Sequence, residues 1–598
     1  MDELTTFLNE LTVLSPLPIE RNPVYSTTVL SNHTKRRLLD YQIQNVVKII
    51  NILLKKRIAL DGSDTGIGKT YMALAACREL KKRAIIFCPK TLMYNWLEVA
   101  KQMEVQVYDI VNFETIKNGK SYVRRRVREN GILVEKFQFN TRRQAEYLTV
   151  VAADNLQNDI YRWDLPQDCM VIIDEAHRCK DPKTDNGKFM KSFRSVITRR
   201  IPVLLLSATI CEDVQDMKIP FYLFGMIDET REFNGYFKQI IEKNNDLKVS
   251  KKTFADHPSN KQKQLYDEAR ELSYAMMIHR EIKDYFTRLK IKDLGDKFPE
   301  NQWSAQLFNT ESTEEITKMY DMLVKKLKEM KKYPGGNQLA EIMKLKQEIE
   351  FKKIPIFIEQ AKEYMLQGKS VIIFVNFLTT LKVLAHELNA KCMIYGGRNR
   401  KKKNEEENEE SEEEEDDDDD ENTNSDSQDN DDEEFAIYDK NGKMMHGKDI
   451  EKLLDIPDEE ETTTLPPQTL EERMEAIRLF QENKERLILC QIRTGSVGIS
   501  LQDLDGRYPR VTLINYPDTA THLLQAMGRA WRAGGKSPVL QRIVLAANVP
   551  YEEKIKKNID KRLKNVSMIN DGKGDSYDYN VEIMQNKLKK QKKKKEVV

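Results

Sequence analysis

The stretch Leu60-Asp61-Gly62-Ser63-Asp64-Thr65-Gly66-Ile67-Gly68-Lys69-Thr70 decides how this chain is read. It places glycines, a lysine and a hydroxyl where a strand should turn into a helix, the arrangement of a phosphate-binding loop. Gly66 and Gly68 let backbone N–H groups curl around phosphate oxygens. Lys69 can reach the β- and γ-phosphates, and Thr70 can ligate Mg²⁺ at the helix N-terminus. The implied ligand is a nucleoside triphosphate held by Asp64, Thr65, Gly66, Ile67, Gly68, Lys69 and Thr70. The general pattern has glycine where Ser63 stands, so the loop alone leaves an ordinary glycine-rich turn as the alternative.

Two later segments supply what a triphosphatase still needs. Val171-Ile172-Ile173-Asp174-Glu175-Ala176-His177 is an apolar run ending in paired carboxylates. That pattern predicts a buried parallel strand presenting acids at its C-terminal edge, where open α/β sheets bind ligands. Asp174 is expected to hold Mg²⁺ and Glu175 to polarise water. Leu204-Leu205-Leu206-Ser207-Ala208-Thr209 is a second buried strand whose hydroxyls can sense the γ-phosphate.

With these three segments in place, the chain resembles the superfamily-two helicases, with a DEAH-type acid motif and a Ser-Ala-Thr motif. More narrowly it is similar to the Swi/Snf-type translocases on double-stranded DNA. The narrower resemblance rests on Asp174 to Asp181, on Cys88-Pro89-Lys90 followed by Trp96 and Glu98, and on Val111-Asn112-Phe113-Glu114-Thr115. It implies that Gln42, in Lys35-Arg36-Arg37-Leu38-Leu39-Asp40-Tyr41-Gln42, meets the adenine. It also implies that Lys90, Thr91 and Thr494 touch the nucleic-acid backbone. Gln525-Ala526-Met527-Gly528-Arg529-Ala530-Trp531-Arg532 matches the family's arginine-finger motif, in which Arg529 and Arg532 meet the charge developing on the γ-phosphoryl group. His177, Ser207, Thr209 and Gln525 fall at the positions that couple nucleotide state to movement.

The expected fold is therefore α/β, with two RecA-like parallel-sheet lobes, a helical inter-lobe region, a disordered acidic insertion and a basic C-terminal tail. At 598 residues the chain has room for several cores. The bounds read as an appendage over 1–30, lobe 1 over 31–225 with a basic insertion at about 117–167, and helices over 226–353. Lobe 2 spans 354–570 with an acidic insertion over 398–468, and the tail covers 571–598. The basic insertion reads either as a solvated charged helix or as extra grip on phosphates. The acidic run Glu405 to Glu434 has almost no apolar residues and strong self-repulsion, which predicts disorder, with mimicry of nucleic acid as the sharper reading. The tail, ending in Lys592–Lys595, reads as a nuclear address or a nonspecific nucleic-acid contact.

Lys plus Arg number 97 against 96 Asp plus Glu, and this near balance conceals blocks of opposite sign. Seven cysteines lie scattered with no CxxC pair, which speaks against a zinc site or a disulfide framework and for packing in a reducing compartment. The N-terminus shows no signal or transit pattern and the apolar runs are strand-sized, so a soluble intracellular protein, in nucleus or cytoplasm, is expected. A composition rich in Lys, Asn and Ile would suit a large DNA virus or another AT-rich genome. The function expected from all this is ATP- and Mg²⁺-dependent translocation on duplex DNA. A strand-separating DNA or RNA helicase is the first alternative, and a catalytically silent nucleic-acid-binding scaffold the second. His279 falls where the family segment often has arginine, and a packed or exposed histidine is the expected reading.

Overall fold

The computed structural model describes residues 30–129, 132–151, 161–209, 211–250, 252, 258–332, 336–396, 437–438, 444–445, 468–495, 498–517, 519–572 and 580–584. The expected appendage over 1–30 and the acidic insertion over 398–468 lie almost wholly outside them, as does most of the 571–598 tail. The chain forms two units, one comprising residues 1–297 and 561–578, the other 298–560 and 579–598.

The strands of the first unit are β1 (Ile58–Asp61), β2 (Arg83–Phe87), β3 (Val107–Val111), β4 (Lys120–Glu129), β5 (Ile132–Gln144), β6 (Leu148–Val150), β7 (Tyr161–Trp163), β8 (Cys169–Asp174), β9 (Val203–Leu206) and β10 (Phe286–Thr287). Its main sheet has the order β10-β1-β9-β8-β2-β3, and every pairing is parallel. The apolar runs at 58–60, 84–87, 169–173 and 203–206 are buried along their length, as strands covered on both faces must be. Phe87, Trp163, Phe189 and Phe193 close one face with ring centroids 4.7–5.7 Å apart.

The basic insertion is not a helix. Strands β4 and β5 form an antiparallel hairpin, and β6 pairs with β7 beside it. The hairpin's root is fixed by Asp109, a buried carboxylate on β3 that accepts from the hydroxyls of Ser121 and Tyr147. Tyr122 donates to Asn112 Oδ1 at 2.7 Å. These contacts supply local partners that a solvated helix would lack.

The second unit contains β11 (Asn301–Phe308), β12 (Ser370–Val375), β13 (Cys392–Ile394), the two-residue pair β14 (Ile437–Tyr438) and β15 (Met444–Met445), β16 (Leu487–Gln491), β17 (Arg510–Asn515), β18 (Val539–Ala546) and β19 (Asn580–Met584). Its sheet runs β13-β16-β12-β17-β18-β11-β19, again all parallel. Two parallel-sheet α/β lobes are thus present, as expected.

Three boundaries differ from expectation. The stretch 226–353 is not one inter-lobe region. Its helices Phe233–Lys243 and Ser259–Ile282 belong to the first unit, while β11 and the helices Thr313–Lys332 and Gly336–Phe351 belong to the second. The cause is β11 itself, which pairs along its whole length with β18 and so draws the helices that follow onto that sheet. The tail likewise contributes a strand, β19, paired with β11. Lobe 1, expected to end at 225, runs on to 297, and residues from Lys561, expected in lobe 2, rejoin the first unit. Half-buried His279 bonds through Nδ1 to the Ile569 carbonyl at 2.8 Å, which makes it a packed histidine.

Burial inside the second unit includes charge. Lys353 and Glu552 form an ion pair with both side chains at most 3% exposed. Glu552 also accepts from Tyr320 Oη at 3.0 Å and from Ala546 N at 2.8 Å. Lys353→Ala would leave that carboxylate buried without its cation, a loss of roughly 3–5 kcal/mol. Chemical denaturation should show that destabilisation, with a transition assigned to the second unit.

The first unit should carry a pH dependence of its own. Burial lowers the pKa of His279 below its usual 6.5. The unfolded chain therefore binds this proton more readily than the native one, so the contribution is full above pH 6.5 and is lost as pH falls through the lower native value. Urea midpoints followed downward from pH 7 should fall less steeply in His279→Gln than in wild type. Equal slopes would contradict the assignment.

Candidate nucleotide site and its arginine-bearing counterpart

Strand β1 ends at Asp61 and the helix Lys69–Glu79 begins eight residues on, with Gly66 and Gly68 at φ values of 81° and 94°. Both lie in the left-handed region that glycine enters without strain. A side chain at Gly68 would also collide, since its Cβ would lie 2.3 Å from Gln42 Nε2. The departure at Ser63 has a local reason. Its backbone N–H and its hydroxyl both donate to Asp61 Oδ1, at 3.0 and 2.5 Å, and its Oγ accepts from Leu289 N at 3.0 Å. Burial raises the pKa of Asp61, and the Ser63 hydroxyl is the largest opposing influence.

Lys69 Nζ donates to the carbonyls of Ser63 at 2.8 Å and Asp64 at 3.1 Å, so the loop wraps its own ammonium. Burial lowers the pKa of Lys69, opposed first by Glu175 and then by Asp61, Asp174 and Asp64. Asp64 is tied down from behind. Its carboxylate takes Arg288 Nη2 at 2.7 Å and Ile291 N at 2.9 Å, while its own N–H donates to the Leu289 carbonyl. Arg288 further donates to Gly62 O at 2.6 Å and pairs with Asp571 at 2.8 Å. Thr65, Ile67 and Thr70 occupy the loop and the first helical turn, with Ile67 fully buried.

Gln42 is buried and both ends of its amide are engaged: Oε1 accepts from Leu39 N and Nε2 donates to Ile67 O, each at 2.9 Å. In this arrangement it braces the phosphate loop. Tyr41 Oη reaches the same Ile67 carbonyl at 3.4 Å.

The acids stand one strand away from β9 in the same sheet. Asp174 terminates β8, accepting from Trp96 Nε1 at 2.9 Å and from Glu175 N at 3.0 Å. Its pKa is raised, first by burial and then by the Glu175 charge. Glu175 has φ 53° and ψ 46°, an uncommon conformation for a side-chain-bearing residue. His177 Nδ1 lies 3.3 Å from Glu175 Oε2 and 2.9 Å from Ser207 Oγ. Because the Ser207 hydroxyl donates its single proton to the Thr209 carbonyl at 2.8 Å, it must accept from His177, which puts a proton on Nδ1. Glu175, His177, Ser207 and Thr209 thereby form one connected path.

Lys90 and Thr91 open the short helix that follows Cys88-Pro89, with Lys90 exposed. In the second unit, Thr494 lies after β16 with its Oγ1 where a Cβ on Gly396 would be 3.0 Å away. Gln525 is buried in the helix Ala520–Met527, and its carbonyl accepts from Arg529 Nε at 2.8 Å. Arg529 and Arg532 both donate to the Ile499 carbonyl, at 3.2 and 2.5 Å, and Arg532 also reaches Ser500 Oγ. Burial, then the neighbouring Arg529 charge, brings the pKa of Arg532 down to about 9.

Three participants escaped the sequence reading as site residues. Trp96 had a faint signal, a tryptophan at a core-facing helix position, although its indole target could not be read. Arg288 and Asp571 had none, standing 224 and 507 residues from Asp64.

A chain with two parallel-sheet lobes, a phosphate loop facing paired acids in one and clustered arginines in the other, is built as an ATP-hydrolysing helicase. Family models agree in both lobes: residues 35–212 match the type III restriction enzyme res subunit and 449–534 the helicase conserved C-terminal domain. The chain is 41% identical over 584 residues to the putative ATP-dependent RNA helicase L364 of Acanthamoeba polyphaga mimivirus, covering 97% of this chain and 92% of that one. It belongs to that family of ATP-dependent helicases, which sets aside the silent-scaffold alternative. Among solved structures, S. cerevisiae Dbp5 bound to RNA and ADP BeF3 aligns at 10% identity over 95% of this chain and 97% of its own, with a TM-score of 0.39. The Sulfolobus solfataricus SWI2/SNF2 ATPase core in complex with dsDNA aligns at 15% identity over 90% and 93%, with a TM-score of 0.28. No described helix is long and apolar enough to cross a membrane.

Lys69→Ala and Glu175→Gln should each reduce ATP hydrolysis by at least about 100-fold, the first by weakening phosphate binding and the second by leaving water unpolarised. Glu175→Gln should still bind ATP. Turnover near wild type in either folded variant would show that the site is elsewhere.

Proposed function

We propose that this protein is an ATP-driven motor that translocates on duplex DNA. The reading rests chiefly on the joining of the two segments that carry the narrower resemblance. Arg178, just beyond the acid pair, places Nη2 3.6 Å from Glu114 Oε1 of the 111–115 segment. Farther along the same extension, Lys180 Nζ pairs with Asp216 at 2.8 Å. The post-acid extension is thus fastened to the body of lobe 1 at two points, giving the acid pair a mechanical link to the surface beyond β3.

In this reading Lys69 and the 64–70 backbone bind the triphosphate, while Glu175 accepts a proton from the attacking water. Arg529 and Arg532 neutralise charge on the γ-phosphoryl group. The donor set suits Mg²⁺: the Thr70 hydroxyl and the Asp174 carboxylate are hard oxygens, and the crowded carboxylate pair calls for a cation. Held by those two oxygens, the ion would supply positive charge to offset that of the triphosphate. Lys90, Thr91 and Thr494 contact the nucleic-acid backbone, and the path from Glu175 through His177 to Ser207 and Thr209 reports the nucleotide's state.

A strand-separating RNA helicase is the second reading, favoured by the name of the mimivirus relative and by the Ser207-Ala208-Thr209 spelling. Against a strand-splitting pin in the second lobe, only residues 516–519 lie between β17 and the helix Ala520–Met527. ATPase should respond to duplex DNA more than to single-stranded DNA or RNA, and the motor should displace a third strand from a triplex without opening a forked duplex. Efficient ATP-dependent unwinding of that fork, with no triplex displacement, would favour the helicase.

A further inference from the structure

We infer that the β4–β5 hairpin is a second DNA-binding element, a basic two-stranded ribbon that grips the phosphates of the duplex next to the motor's track. This rests on the duplex-translocase reading and adds a site to it. Between Lys120 and Gln144 the sequence has eight basic residues and two acidic ones. Within the hairpin's described part, Lys120, Arg125 and Arg142 are exposed. The register pairs position 125 with position 136, so two basic residues of the sequence are neighbours across the strands.

Not every cation there serves a ligand. Arg124 is fastened inward, with its guanidinium 4.8 Å from the Phe137 ring centroid and 3.9 Å from Asp109. Arg143 pairs with Glu146 at 3.1 Å. The root is thereby held, and the exposed cations are carried on a rigid base.

The second observation is where that base sits. Tyr94, 49% exposed and one turn beyond Lys90 and Thr91, meets Phe139 of β5 edge to face, with centroids 4.8 Å apart. The hairpin is thus joined directly to the short segment proposed to touch the nucleic-acid backbone, and its cations prolong that surface. The major groove of B-DNA, about 12 Å wide, admits a two-stranded ribbon, whereas the A-form major groove is too narrow for side chains to read. The ribbon's charge suits a polyanion, and its shape favours duplex DNA over duplex RNA.

The full-length Arg125→Glu/Arg142→Glu variant tests this, with Arg125→Lys/Arg142→Lys as the charge-preserving control. Duplex DNA and duplex RNA of equal length serve as probes, and binding is measured from 50 to 200 mM salt. Each lost phosphate contact should flatten the slope of log K against log salt by about 0.9, so the Glu variant should lose nearly two from its slope. At 50 mM salt its affinity for duplex DNA should fall at least about tenfold, while the Lys control keeps the wild-type slope. An unchanged slope and affinity in a Glu variant that melts like wild type would overturn the hairpin assignment alone. A greater loss on duplex RNA would overturn the commitment to DNA. A wild-type protein that binds no duplex DNA would overturn the translocase reading, and the hairpin assignment with it.

Discussion

The half-buried ammonium of Lys69 is the charge around which the sheet edge of the first unit is arranged. Lys69 stands at the C-terminal edge of a parallel sheet where the chain also delivers Asp61 and Asp174, with Glu175 immediately after the strand. Burial works against three of these charges, lowering the lysine's pKa and raising those of Asp61 and Asp174. Mutual attraction offsets this, together with hydrogen bonds from Ser63 to Asp61 Oδ1, from the Trp96 indole to Asp174, and from the Lys69 ammonium to two carbonyls. The carboxylates nevertheless outnumber the cation. That surplus at the sheet edge suits a divalent ion accompanied by a polyanion.

The loop itself is held in place from outside. Arg288 grips Gly62 and Asp64 with one end of its guanidinium and Asp571 with Nε, and its side chain is only 6% exposed. Any rearrangement of the 62–68 backbone must disturb this clamp. Through Asp571 the clamp ties the phosphate loop to the end of the helix Pro550–Asp571, and Asn570 Nδ2 contacts the Ala208 carbonyl between Ser207 and Thr209. One short C-terminal segment therefore touches two of the three motifs that define the site.

Most of this site was legible because its chemistry is local. A buried apolar run followed by Asp-Glu, or by Gly-x-Gly-Lys-Thr, carries its own context, and β1, β8 and β9 fall where those runs predicted. What could not be read depended on partners distant in sequence. Nothing near Asn301-Gln302-Trp303-Ser304-Ala305-Gln306 announces a parallel strand. Ser304 and Gln306 are buried polar residues, and Ser304 Oγ accepts from Arg542 Nη1 of β18 at 2.8 Å. An apolar-run criterion fails where the sheet interior is satisfied by hydrogen bonds instead. The basic hairpin was obscured differently, because charge density suggested a solvated helix. Its aromatic residues at 122, 137 and 139 matter only once the Asp109 anchor is known.

The arginine pair of the second unit follows the same electrostatic reasoning from the opposite sign. Two like-charged guanidinium groups converge on the Ile499 carbonyl, and burial together with the Arg529 charge holds Arg532 well below the usual arginine range. A carbonyl dipole balances only part of a full charge, so this arrangement is costlier for the cations than one facing an anion. Phosphoryl oxygens would accept the same N–H donors with a full opposing charge, and would do so most strongly when that charge is spreading in the transition state. Under the proposed function, the cost of gathering the two arginines would be offset by differential binding of the transition state, with the Ile499 carbonyl as the acceptor that both donors share beforehand.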